Sequence, residues 1–98
     1  MTVQEKIHEY LSVHRDEMVE DIKTLIKVDS ARAEALPGKP YGEGAAEALH
    51  AGLSLFEKHG FLGKNWDNYA IDTVINGKEL GLDILAHLDV VPGGDGWT

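Results

Sequence analysis

Ile84-Leu85-Ala86-His87-Leu88-Asp89-Val90-Val91-Pro92-Gly93-Gly94-Asp95-Gly96-Trp97 decides how this chain is read. The near-continuous apolar run up to Leu88 predicts a strand buried inside a sheet. Pro92 offers no N–H to a ladder, and the glycines behind it make a loop. Side chains two apart on a strand share a face, so His87 and Asp89 should emerge side by side at the strand's end. Ligands gather at such ends in α/β sheets. An imidazole with a carboxylate beside it is the start of a metal site, because the carboxylate can fix the ring's tautomer and orientation. A single strand histidine is more often a satisfied core residue, and an aspartate there can simply accept loop amides. Asp95 and Trp97 read as turn and packing residues.

Upstream, Tyr69 to Ile75 alternates apolar with polar, and Gly81 to Leu88 is apolar almost throughout. Asn76-Gly77 between them is a strong hairpin signal, since a type I′ turn needs positive φ at both central positions. The second strand, the more buried, should lie inside a larger sheet. Before the strands, Ala45 to His59 places Ala45, Ala48, Leu49, Gly52, Leu53 and Phe56 on one face, and Gly60 is suited to end that helix. Ala48 and Gly52 suggest close packing. Gly42-Glu43-Gly44 lacks the Lys-Ser/Thr of a phosphate-binding loop and reads as a tight entry to the helix. Pro37-Gly38-Lys39-Pro40 keeps Asp29 to Tyr41 a loop.

The first helix is signalled by Thr2-Val3-Gln4-Glu5, a capping-box pattern. Val3, Ile7, Tyr10, Leu11, Met18, Ile22, Leu25 and Ile26 then recur at helical spacing through about Lys27. Ser12-Val13-His14 is a place where this helix could break, with Ser12 or Asp16 capping a second segment. His8, His14, His50 and His59 fall on helices without a partner at metalloprotease spacing, and read as surface or boundary residues. The expected fold class is α/β: helix, loop, helix, then an antiparallel β-hairpin belonging to an incomplete sheet.

The 98 residues allow at most one small domain, and 43% hydrophobic with 27% charged residues is a globular composition. There is no cysteine, so disulfides and thiolate metal sites are excluded. A net charge of −8 argues against a nucleic-acid partner, which would need clustered Lys and Arg. Met1 to Leu11 is polar and acidic, unlike a signal peptide, and no apolar run approaches the ~20 residues of a membrane span. A cytoplasmic protein without a membrane partner is the expectation.

His87-Leu88-Asp89-Val90-Val91-Pro92, with Trp97 shortly after, resembles the first metal-ligand motif of the M20 metallopeptidase family. Lys39-Pro40-Tyr41-Gly42-Glu43-Gly44, His59-Gly60-Phe61 and Asn65-Trp66-Asp67-Asn68-Tyr69-Ala70 are similar to blocks of its PepV-type branch, the Xaa-His or β-Ala-Xaa dipeptidases. Asp21 to Ser30 is similar to that branch's opening helix. The resemblance covers essentially the whole chain, in family order. It implies that residues 1–98 are an N-terminal segment of one metallopeptidase catalytic domain, with His87 a zinc ligand and Asp89 the residue that positions it. It implies two zinc ions per complete site, with cobalt or manganese as possible replacements, and a dipeptide substrate. The family's remaining metal ligands and its Glu general base have no counterpart before Thr98. The isolated chain is therefore expected to be inactive, and to self-associate through its unpaired sheet edge. The alternatives are an amino-acid deacylase or desuccinylase of the same family, and a non-catalytic binding or oligomerisation module.

Overall fold

Thr2 sets the start of the first helix in the computed structural model, which describes residues 1–75, 77 and 81–96. Its Oγ1 accepts from the Glu5 N–H at 3.1 Å and donates to Glu5 Oε1 at 3.1 Å. The carboxylate thus answers the cap through the hydroxyl. Helix α1 (Val3–Ile26) runs 24 residues without interruption. Tyr10 and His14, one turn apart, bring their ring centroids to 4.1 Å across the Ser12-Val13-His14 stretch, and the helix continues through it. None of its residues is buried. Its apolar stripe, including Val3, Ile7, Tyr10 and Ile22, stays largely exposed.

Residues 28–42 fold into a finger. Leu36 and Lys39 exchange backbone hydrogen bonds of 3.0 and 2.8 Å around Pro37-Gly38, and the Ala33 N–H donates to Tyr41 O at 3.0 Å. Helix α2 (Glu43–Lys58) follows directly. The glycines before and inside its first turn have separate reasons. Gly42 takes φ of 92°, and a Cβ there would stand 2.8 Å from Ala33 Cβ. Gly44 lies so close to the preceding loop that a Cβ would stand 1.9 Å from the Asp29 carbonyl oxygen.

The small residues of α2 form the only buried apolar cluster among the described residues: Ala45, Ala46 and Ala48. Buried Gly52 extends this face. A Cβ at Gly52 would meet Ile71 Cδ1 at 2.9 Å and Leu88 Cδ1 at 3.2 Å, so the missing side chain lets two later segments close onto the helix. The helix ends as its sequence predicts. Gly60 takes positive φ, its N–H donates to Glu57 O at 3.0 Å, and the Phe61 N–H donates to Phe56 O at 2.9 Å, the paired bonds of a Schellman motif.

Strands β1 (Gly63–Trp66) and β2 (Ala70–Thr73) pair antiparallel, Gly63 opposite Thr73 and Trp66 opposite Ala70. The fold class is as expected, but the hairpin is not the one the sequence signalled. Its turn is Asp67-Asn68, at φ of 55° and 62°. Asn68 N–H donates to Asn65 Oδ1 at 2.8 Å, Asn65 Nδ2 donates to Asn68 Oδ1 at 2.8 Å, and Asn68 Nδ2 reaches Gly38 O at 2.9 Å. Asx side chains tolerate left-handed backbone and hydrogen-bond locally, and here they do the work assigned to Asn-Gly. Lys64 Nζ lies 3.5 Å from the centroid of the Trp66 ring.

Tyr69–Ile75 therefore contributes its centre as β2, paired on its N-terminal side. Of the expected Asn76-Gly77 turn, Asn76 lies outside the described residues, and Gly77 holds φ of 83°. Gly81 to Leu88 is neither a strand nor buried, with Leu85 at 94% exposure. An apolar run of this kind is a stable strand only with neighbours on both edges and cover on both faces, which a two-stranded ribbon does not supply. One parallel bridge, Ala31 with Val90, ties the segment to the loop after α1. The radius of gyration is 16.1 Å, against about 13 Å for a compact chain of this length, so the shared core is small.

Candidate functional site

Leu88 against Gly52 and Val90 against Ala31 hold the segment that carries His87 and Asp89. The two side chains meet as the period-two spacing requires, although no ladder forms there. His87 Nδ1 lies 3.0 Å from the Asp89 carbonyl oxygen and 3.3 Å from Asp89 Oδ1. A carbonyl oxygen can only accept, so the contact requires a proton on Nδ1, and in a neutral ring the lone pair is then on Nε2. Both side chains are open to solvent, at 84% and 63% exposure. That arrangement orients an imidazole to act as a ligand or as a base through Nε2.

A cavity of about 320 Å³ lies beside this pair. Ala45, Ala48 and Leu49 of α2 and Ile71 of β2 give it an apolar wall, and Arg32, Tyr41 and Tyr69 line it with His87 and Asp89. Tyr41 and Tyr69 meet edge to face, with centroids 5.7 Å apart at 87°. The finger, α2, the hairpin and the His87 segment thus converge on one concave surface. Among the described residues no second imidazole or acidic ligand joins His87 and Asp89 there. Asp95 stays exposed, consistent with a turn residue, and Trp97 lies outside the described residues.

The cluster that does gather three metal-type donors stands elsewhere, between the helices. Glu17, Asp21 and His59 bring ligand atoms within 4.8 Å of one another. His59 Nε2 lies 2.7 Å from Asp21 Oδ2, and its Nδ1 lies 3.9 Å from Glu17 Oε1. Lys58 Nζ sits 2.5 Å from Asp21 Oδ1 and already supplies the cation, so this is an ion-pair tether from α1 to α2. His59 reads as an isolated boundary residue in sequence, because its partner is 38 positions away.

The tether predicts a pH response. Hydrogen bonds from Lys58 and then His59 hold the Asp21 carboxyl below its usual 3.8. The bond to Asp21 holds the Lys58 ammonium above its usual 10.5. A depressed carboxyl contributes stability above the unfolded value and loses it as pH falls through the lower folded value. A raised ammonium contributes below the unfolded value and loses it as pH rises through the folded one. The thermal midpoint should decline on acidification below pH 3.8 and on alkalinisation above pH 10.5. Scanning calorimetry of Asp21→Asn should show both limbs flattened relative to wild type. The groups are solvent-accessible, so the difference should be modest and shrink in high salt.

Among the described residues no helix is long and apolar enough to cross a membrane. No family model matches the chain. It is similar to YtjP of Bacillus subtilis (strain 168), provisionally named a dipeptidase, with 38% identity over 86 residues, 86% of this chain and 19% of that protein. It is 34% identical over 92 residues to the Beta-Ala-Xaa dipeptidase of Lactobacillus delbrueckii subsp. lactis, 92% of this chain and 20% of that protein. A provisionally named dipeptidase of Staphylococcus epidermidis (strain ATCC 12228 / FDA PCI 1200) is 38% identical over 96 residues, 96% of this chain and 20% of that protein. The chain spans about a fifth of the length of the curated relatives it matches.

Proposed function

The chain is a homologue of these bacterial proteins named as dipeptidases, and we propose that it is the N-terminal segment of a zinc-dependent dipeptidase of the M20 metallopeptidase type. The observation that carries the reading is the His87–Asp89 pair, with His87 Nδ1 tied back to Asp89 and both residues lining the cavity. In this reading His87 binds metal through Nε2 and Asp89 positions the ring. Catalytic zinc takes about three protein ligands, and His87 supplies one. The described residues do not complete such a site. When bound, the metal would polarise the peptide carbonyl and lower the pKa of a water. What this chain's own residues supply is one oriented imidazole and one concave wall for the substrate.

The 98-residue chain alone is accordingly expected to hydrolyse nothing. The test runs it beside the product of the uninterrupted reading frame, against a panel of dipeptides that includes β-Ala-His, with zinc, cobalt or manganese added. Turnover confined to the longer product supports the proposal. Preference of the longer product for N-acyl amino acids would move the assignment to a deacylase. Silence of both with every metal would sink the enzymatic reading and favour a binding module.

A further inference from the structure

Glu17 and Asp21 stand one turn apart on α1, so their carboxylates share a face of the helix, and both reach His59 at the end of α2. They meet different nitrogens of its ring. Asp21 Oδ2 is 2.7 Å from Nε2, and Glu17 Oε1 is 3.9 Å from Nδ1. An ionised carboxylate only accepts, and a neutral imidazole has one N–H to give. The neutral ring therefore serves one of the two, whereas the imidazolium has an N–H for each. The charges around the ring favour the same form. From α1 come the carboxylates of Glu17, Glu20 and Asp21, with Lys23 paired to Glu20 at 3.2 Å, and α2 adds Lys58. Two ammonium groups against three carboxylates leave a negative charge for the imidazolium to answer. Little else holds α1 in place. Of the helices and strands it packs on α2 alone, none of its residues is buried, and Leu25 is its one apolar side chain that is even half-buried.

We propose that His59 is a pH-sensitive latch, whose protonated ring clamps α1 onto α2 and whose deprotonation loosens the long helix. The docked state surrounds the ring with carboxylates and the undocked state does not, so docking is linked to uptake of a proton. Docking therefore strengthens as pH falls through the imidazole range, about pH 8 to 5, and weakens as pH rises through it. Asp21 is ionised throughout that range, because bonds from Lys58 and then His59 hold its carboxyl below the usual 3.8. Lys58 keeps its charge there too, its ammonium held above the usual 10.5 by Asp21. The fixed Lys58–Asp21 pair aims the carboxylate, and His59 supplies the part of the tether that switches. This step falls between the acid and alkaline limbs set by Asp21 and Lys58.

The chain has no cysteine, so spin labels can be placed at will. Gln4→Cys on α1 and Glu47→Cys on α2, both at exposed positions, make a pair whose separation reports docking by double electron–electron resonance. Samples are frozen from about pH 5.5 and about pH 8, with a chelator present so that no metal bridges the ring. The ratio of docked to undocked helix should be about 2- to 5-fold higher at the lower pH, the scale of an exposed ion pair, and the step should shrink in high salt. His59→Gln should give one ratio at both pH values, whether that ratio is high or low. Glu17→Gln leaves the bond to Asp21 and should reduce the step. His14→Gln removes the other half-buried imidazole of α1 and should leave the step intact. A wild-type ratio that does not move with pH overturns the proposal. So does a step that persists in His59→Gln, or one that disappears in His14→Gln.

Discussion

Gly44→Ala is expected to destabilise this chain by about 3 kcal/mol, at the upper end of the overpacking range. The added methyl would stand 1.9 Å from the Asp29 carbonyl oxygen, a backbone atom with no rotamer to escape into. Relief requires the loop after α1 to move away from the first turn of α2. That loop also carries Ala31, which bridges to Val90, so the displacement should reach the segment that holds His87. Urea unfolding followed by circular dichroism measures the loss. Gly81→Ala is the matched control, because nothing lies within 4 Å of its added methyl and its φ is not positive. Equal midpoints for the two variants would show that the close approach of α2 to Asp29 is wrong.

His87→Ala should have the largest functional effect and almost no structural one. On the proposed dipeptidase reading, it should reduce dipeptide turnover by the product of the uninterrupted reading frame at least about 100-fold, the scale of losing a group essential to metal-assisted hydrolysis. The side chain is 84% exposed, so the stability change should stay within about 0.5 kcal/mol. Asp89→Asn should be milder, because the backbone carbonyl that accepts from Nδ1 remains and only the carboxylate contact is altered. A loss of about 10-fold in metal affinity is its expected scale. Full activity in His87→Ala, with native unfolding, would remove the histidine from the chemistry.

Much of the architecture was legible because its causes are local. Thr2 and Glu5, the apolar spacing of both helices and the Gly60 terminator act within a few residues of one another, and the structure follows them. His87 meets Asp89 for the same reason: two positions apart in extended backbone is a local relation. The hairpin was misplaced because two turn signals competed. Asp67-Asn68 is a weaker signal than Asn76-Gly77 when read alone, and Asn68 gains by a bond to Gly38, 30 residues away. Gly44 shows the same limit, since its reason is the Asp29 carbonyl across the loop. The Asp21–Lys58–His59 tether and the convergence of Arg32 on the cavity depend on how α1 and the finger fold back, which no periodicity encodes.

Trp66 is half exposed at the turn of the hairpin, beneath the Lys64 ammonium, while α1 holds 24 residues of helix on the far side of a thin interface. The molecule therefore carries two optical reporters on two different parts of itself. With Trp97 replaced by Phe, indole emission follows the ribbon and its turn through Trp66, and ellipticity follows mainly the helices. A denaturation curve taken with either one alone describes half of the molecule. Overlaying the two is the direct way to learn whether the long helix and the ribbon melt as one cooperative unit.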